Sequence, residues 1–464
     1  MRTPGAALSR IARGEAPRVL DLFSGAGGIS LGFQRAGFRI VGSVELDPLA
    51  ARTHARNFGH PAIARDMTQT EPDDLGIGGI DVLVGGPPCQ AYARVGRAKL
   101  REIADHPAAY KVDPRGNLYL RYLAWVRTLR PLALLIENVP DILHYGHHNV
   151  AEEIVEALDV LGYDAKYSLI NSAFHGTPQM RDRVFLIAYR RDLGASVRFP
   201  AATRHLVLPR GYQGTRAVAL KHTGPGFVPA DLGTPDMPGP VTAREAIGDL
   251  PPIDGASVRR GARRFQDLMP YASAPHSDYA AQMRAWPGFE GGEGVRDHVI
   301  RALPRDVPIF RAMRPGAEYP EAHARAMELA RAAAARARLR RGTAAYDALI
   351  ARMVPPYDVG KFPNRWWKLE ADQPVRTLMA HIGKDTYSHI HWDSAQGRTI
   401  SVREAARLQG FPDGFLFEGT MNPAFRQIGN AVPPLMAAAL AAVMLETLRA
   451  AASTSRTRAG ARGS

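Results

Sequence analysis

The sequence predicts an α/β protein, a doubly wound, Rossmann-like domain with a second, smaller and irregular domain. Three observations carry this. Short apolar runs alternate with helical periodicity over residues 16–195. Proline and glycine punctuate 196–398, where long periodic elements are few. Regular helical spacing then returns from 399.

The elements follow in chain order. RVLDLF (18–23) is an apolar run that ends in a glycine-rich turn, SGAGG. ISLGFQRAGF follows at helical spacing, then the strand-like RIVGSVEL, which completes a strand–turn–helix–strand unit. Asp47 and Pro48 start the helix DPLAARTHARNF. A third strand candidate precedes Asp66. Strands recur at IDVLVGG (80–86) and LALLIENV (132–139), with helical LYLRYLAWVRTL between them. AEEIVEALDVLGY is a further helix, and KYSLIN and RVFLIAYR are strand-like. Within the irregular stretch, 322–342 favours helix and is dense in arginine. SVREAARLQGF and the proline-initiated VPPLMAAALAAVMLETL are helices that return the chain to the first domain. The expected plan is a flexible N-terminus (1–15), a first domain (16–195), a second domain (196–398), a return segment (399–450) and a disordered tail (451–464).

Composition narrows the class. A chain of 464 residues, 45% hydrophobic and 22% charged, is neither collagen-like nor wholly disordered nor a disulfide scaffold. The formal charge of +14 suggests a polyanionic partner, and only seven of the 59 basic residues are lysines. The single cysteine, Cys89, excludes an intrachain disulfide, a thiolate-rich zinc site and any mechanism needing two cysteines in one chain. No run approaches the roughly 18 apolar residues of a membrane span. The N-terminus lacks the apolar core of a secretory signal, so a cytoplasmic location without membrane contact is expected.

Four places carry chemistry. In an open α/β sheet, ligands bind at the carboxyl ends of the strands. Gly25, Gly27 and Gly28 allow close backbone approach there, but Ser30 stands where a dinucleotide fingerprint needs its last glycine. Glu45 ends the second strand and can accept from ribose hydroxyls. Asp66 can accept from an adenine amino group, and Phe23 can cover an adenine face. Alternatively, either carboxylate caps the following helix. The second place is GGPPCQ (85–90), which puts Cys89 beyond an apolar strand on a loop stiffened by Pro87 and Pro88. A buried structural cysteine would sit on the strand, so a nucleophile is the better reading. Third, Glu137 ends another apolar strand, where a carboxyl group suits acid–base work on a heterocycle. Fourth, Arg181 and Arg183 alternate with Asp182 in QMRDR (179–183) and share a face in extended chain.

Taken in order, these residues resemble the cytosine-5 DNA methyltransferase family over about 420 residues. DLFSGAGG (21–28), VELD (44–47), GGPPCQ, RGNLY (115–119), ENV (137–139), QMRDR, SVREAARLQGFPD (401–413) and RQIGNAVPP (426–434) follow the family's order. The resemblance implies S-adenosylmethionine as methyl donor, without a metal. It would be held by Phe23, Ser24, Gly25, Gly27, Glu45, Asp66, Gly85, Pro87, Leu118 and Asn430. Cys89 would be the nucleophile, with Glu137 and Arg183 gripping the cytosine ring and Arg181 counted with them as catalytic. Residues 16–195 would be catalytic and 196–398 would recognise the target. The implied partner is double-stranded DNA, met by a monomer, with a cognate restriction enzyme or phage-defence system as possible company. Ala93 and Ser401 depart from the family's usual serine and threonine without touching this chemistry. A transfer-RNA enzyme of the same fold would carry a Cys-Phe-Thr sequence that is absent here, and a non-catalytic DNA-binding relative would need neither Cys89 nor Glu137.

Overall fold

A computed structural model describes residues 4–60, 62–88, 118–145, 148–258, 264–361, 363–383 and 387–460. These fall into two compact units. One is drawn from the chain up to Pro240 and from Ala431 onward, the other from Val241–Asn430.

The first unit is built on a seven-stranded sheet of order β3-β2-β1-β4-β5-β8-β6. Its strands are β1 (Arg18–Leu22), β2 (Arg39–Glu45), β3 (Ala62–Ala64), β4 (Val82–Gly85), β5 (Ala133–Asn138), β6 (Tyr163–Asn171) and β8 (Asp182–Arg190), with a two-residue β7 (Gln179–Met180) outside it. β3, β2, β1, β4 and β5 are parallel. β8 runs antiparallel to both β5 and β6. The central strands are apolar without alternation because both faces are covered. On one face Leu20, Leu83 and Leu134 join Tyr122, Trp125 and Ile154. On the other, Val19, Val82 and Leu135 join Phe33, Leu440 and Met444.

The helices of this unit are α1 (Pro4–Ala12), α2 (Gly28–Arg35), α3 (Pro48–Phe58), α4 (Leu118–Leu129), α5 (Val150–Val160), α6 (Arg210–Leu220) and α14 (Pro434–Gly460). Asp47 caps α3 by accepting from the Leu49 N–H at 2.9 Å, and Pro48 opens the helix. α2 and α14 touch through glycine. A Cβ on Gly32 would lie 2.5 Å from Ala437 Cβ and 2.6 Å from Pro434 O, so only glycine admits this approach. The stretch Met421–Ser455 includes an 18-residue window apolar enough to cross a membrane, and 67% of that window is buried within the protein. Its apolarity is that of a core helix.

The ends of the chain differ from expectation. α1 is ordered because Leu8 and Ile11 bury one face while Arg10 binds Asp81 at 2.7 Å. α14 runs on to Gly460, through most of the expected tail.

The compact units also change over at 240 and 430 rather than at 195 and 398. Residues 196–240 stay with the first unit because Ala202 and Leu208 pack on Phe174 and Met180, and Val228 N–H donates to Tyr167 O at 2.8 Å. Residues 399–430 stay with the second because Arg403 N–H donates to Asp297 O at 3.1 Å and Arg407 binds Asp249 and Asp413, all three buried.

The second unit holds α7 (Ala243–Ile247), α8 (Asp278–Arg284), α9 (Val307–Ala312), α10 (Tyr319–Arg336), α11 (Ala344–Met353), α12 (Val402–Gln409), α13 (Met421–Asn430) and short strands β9 to β13 between Met269 and Ile390. Its apolar centre gathers Phe310, Tyr319, Trp366 and Ile390. The arginine-rich stretch is helical in α10, turns over at 337–343, and continues as α11.

Candidate active site

The carboxyl ends of the parallel strands share one edge of the sheet. The antiparallel β8 begins at that same edge, since Asn138 pairs with Val184. Topology therefore brings Phe23–Gly27, Glu45, Asp66, Gly85–Pro87, Glu137 and Arg183 to one rim. This is where an open α/β sheet binds ligands.

At the end of β5, Glu137 Oε1 meets Arg183 Nε at 2.9 Å, with both side chains largely shielded from solvent. Arg183 also donates to Asp182 O at 2.7 Å. Asp182 is fixed in turn by the Arg216 guanidinium and by Asn171 Nδ2 at 3.2 Å. Burial raises the Asp182 carboxyl, and Arg216 opposes that. Arg181 is only 2% exposed, between β7 and β8. Burial and the neighbouring Arg183 charge hold its guanidinium well below its ordinary value, while Glu137 pulls the other way. Arg183 thus contacts the carboxylate, and buried Arg181 lies close enough to feel both charges.

The loop after β4 is tied to the same strand end. Asn138 Nδ2 donates to Pro87 O at 2.8 Å. A Cβ on Gly86 would stand 2.8 Å from Glu137 Oε2, and one on Gly85 would stand 2.3 Å from Leu22 O. Both glycines are therefore spacers that let the loop pass beside the carboxylate and the turn after β1. Pro87 is two residues before Cys89, which lies outside the described residues.

The turn after β1 is a backbone cradle. Phe23 has φ 58°, Gly25 52° and Gly27 99°, left-handed conformations that strain a residue such as Phe23. Glu45 organises the turn: its Oε2 accepts from the Gly25 N–H and its Oε1 from the Asp47 N–H, each at 2.8 Å. Burial raises the Glu45 carboxyl, and these two donors oppose it. Each oxygen keeps a lone pair that a hydroxyl could use. Among the described residues Ser24 Oγ is buried without a partner, an orphan that a bound polar ligand would satisfy. Asp66 Oδ1 accepts from the Thr68 N–H at 2.8 Å. Leu118 opens α4, half-buried. Asn430 is the last residue of α13, exposed, in the other compact unit.

One feature of the cradle escaped sequence reasoning. Asp21 is fully buried in β1 and accepts from Ser30 Oγ at 2.7 Å. His54 Nε2 lies 3.0 Å from Ser30 Oγ, and its Nδ1 lies 3.3 Å from Ser43 Oγ. Burial pushes the Asp21 carboxyl up to about 7 and drives His54 well below its usual value. The neutral imidazole then donates to Ser30 and accepts from Ser43. The available signal was a lone acid inside the apolar run RVLDLF.

A cavity of about 750 Å³ lies away from this rim, beside the edge strand β6, lined by Val155, Tyr163, Lys166, Val197 and Val228 among others. Its lining includes none of the rim residues named above. Among the described residues no cluster of His, Cys, Asp and Glu suits a metal ion.

The family model for C-5 cytosine-specific DNA methylase matches residues 17–224 and 331–446. Related chains include M.OihORF3336P of Oceanobacillus iheyensis, assigned to the type II methyltransferases, which is 36% identical over 93% of this chain and 96% of its own length. The type II methyltransferase M.AgeI of Thalassovita gelatinovora is 30% identical over 94% of this chain and 100% of its own. Among solved structures, a prophage-encoded DNA modification methyltransferase from E. coli superposes with TM-score 0.61 at 22% identity, covering 93% of this chain and 99% of that one. That likeness concerns the fold.

Proposed function

The chain belongs to the C-5 cytosine-specific DNA methylase family, and from that premise we propose how its residues methylate carbon 5 of cytosine in DNA. The family implies S-adenosylmethionine, which when bound supplies an electrophilic methyl group. The residues at the turn after β1 suit that group. The Glu45 oxygens can accept from the ribose hydroxyls, Asp66 from the adenine amino group, and Phe23 can cover the adenine face. The orphaned Ser24 hydroxyl offers a further polar contact, with Gly25, Gly27, Gly85, Pro87, Leu118 and Asn430 completing the proposed set.

Carbon 5 of cytosine is a poor nucleophile. In our reading the Cys89 thiolate adds to carbon 6, forming a carbon–sulfur bond and turning the ring into an enamine with electron density at carbon 5. A proton or strong hydrogen bond from Glu137 at ring nitrogen 3 receives the displaced charge. Arg183 holds the ring carbonyl oxygen and keeps Glu137 in place, with Arg181 beside them in the proposed catalytic set. After methylation a base takes the carbon-5 proton, the electrons of that bond re-form the 5,6 double bond, and the carbon–sulfur bond breaks to release the Cys89 thiolate. None of this is possible for a stacked base, so the target cytosine must be flipped out, at a cost of a few kcal/mol.

The observation that carries this reading is the Glu137–Arg183 contact at 2.9 Å, on the strand end whose Asn138 holds Pro87. It supports the reading because Glu137 and Arg183 meet on the strand end tied to Pro87, two residues before Cys89 in sequence. We assign base recognition to 196–398, and we propose a cytoplasmic monomer that needs no metal. Its relatives' designation as type II methyltransferases supports a role as the modification enzyme of a restriction–modification system. Bisulfite sequencing of DNA from a host expressing the protein tests the role. The cytosine of one sequence motif, deaminated in DNA from a control host, is expected to become protected from deamination. A host with no protected cytosine would refute it.

A further inference from the structure

The second unit carries a concentration of positive charge that the catalytic reading leaves unused. α10 buries Ala322, Ala326, Ala330 and Ala334 at helical spacing, which turns its polar residues outward. At its C-terminal end Arg336, Arg338, Arg340 and Arg341 put four arginines into six residues, and Arg331 lies one turn before. All five are exposed. Among the described residues none of the five forms an ion pair. The acids nearest in sequence do not neutralise them: Glu328 is paired with Arg325 at 2.9 Å, and Asp347 lies beyond the turn.

The turn is built, not frayed. Leu339 N–H donates to Ala334 O at 2.9 Å and Arg338 N–H to Ala335 O at 3.1 Å. Thr343 Oγ1 donates to Arg340 O at 2.7 Å and caps α11 by accepting from the Tyr346 N–H. Arg338 takes a left-handed φ of 54° to make the bend. The arginines are therefore presented from a fixed backbone, so less is lost in ordering them on a partner. A helix C-terminus favours a cation in its last turn, which accounts for Arg336. That effect fades within a turn and leaves Arg338, Arg340 and Arg341 unexplained, while their mutual repulsion opposes folding.

We propose that the turn between α10 and α11 grips the sugar–phosphate backbone of duplex DNA through Arg336, Arg338, Arg340 and Arg341. Charge complementarity selects the partner: closely spaced guanidiniums without acceptors of their own match a regular row of phosphates. The inference rests on DNA being the substrate and adds a sequence-independent contact to it.

The test compares the wild-type protein with the triple variant R336Q/R340Q/R341Q and with R336K/R340K/R341K, leaving Arg338 to keep the bend. Affinity for an unmethylated duplex of about 30 base pairs is measured against salt concentration, where each phosphate neutralised contributes about 0.9 to the slope. The glutamine variant should lose about 2 to 3 from that slope, and the lysine variant should recover most of it. An unchanged slope in a glutamine variant whose melting temperature matches wild type overturns the proposal. So does equal, arginine-dependent binding of polyglutamate, which would mark an acidic protein as the partner. The underlying reading fails separately, if wild-type protein transfers no labelled methyl group from S-adenosylmethionine to DNA.

Discussion

Glu137 has a glycine at its back, and Gly86→Ala would place a methyl 2.8 Å from Glu137 Oε2. The carboxylate must then shift from its Arg183 contact. Methyl transfer should fall by at least about tenfold, since small misplacements of catalytic groups are costly, with the melting temperature nearly unchanged. Glu137→Gln keeps the shape and removes the acid. Turnover should drop by about 10² to 10⁴-fold, while calorimetry finds S-adenosylmethionine binding retained. Asp21 gives a pH prediction. Its carboxyl is raised to about 7 in the folded protein from 3.8 when exposed, so the folded state holds a proton that the unfolded state releases. Stability from this group is present below pH 4 and is lost as pH rises to 7, by up to about 4 kcal/mol. Asp21→Asn should remove this component, so that in urea titrations the variant gains on wild type between pH 4.5 and 7.5. A constant difference across that range would contradict the burial of an ionisable Asp21. Sequence alone placed Glu137, Arg183 and Glu45 at strand ends. It could not show the Asp21–Ser30–His54 chain, because residues so far apart meet only once β1, α2 and α3 are packed.

At the scale of elements, β1 and β4 were legible because each is an apolar run closed by a glycine turn, β5 because it is a longer apolar run, and α3 because Asp47 and Pro48 mark its start. Pairing direction was not written in the runs. KYSLIN and RVFLIAYR are as apolar as the parallel strands, yet only a short connection separates β6 from β8. No crossover helix fits there, which forces the antiparallel pair. α1 escaped because its burial rests on only Leu8 and Ile11 in a short segment. The α2–α14 crossing is the joint through which C-terminal chain completes the first unit. Gly32→Ala would press a methyl against Ala437 and the Pro434 carbonyl. Overpacking of this kind costs about 1–3 kcal/mol, which a urea unfolding midpoint should register. A midpoint equal to wild type would show that the helices can part without penalty.

For the whole molecule, the order of motifs along the chain carried the family and the activity, while packing set the unit limits. Proline and glycine density marked a change of character at 196, but density cannot tell where a segment packs. Arg216 binding Asp182, and Phe174 covered by Ala202, keep 196–240 with the sheet. Arg403 and Arg407, buried against Asp297, Asp249 and Asp413, keep 399–430 with the second unit. Arg403 and Arg407 look like surface charges in sequence, and nothing local announces their burial. The proposed chemistry of the whole molecule turns on one covalent bond, from Cys89 to carbon 6 of a flipped cytosine. DNA methylated by the protein, with 5-fluorocytosine in place of cytosine, cannot lose the substituent at carbon 5 and should trap that bond. Mass spectrometry should then find the DNA adduct on a peptide containing Cys89, with none formed by Cys89→Ala. Methylation of ordinary DNA by the Cys89→Ala protein, or an adduct on any other residue, would contradict it.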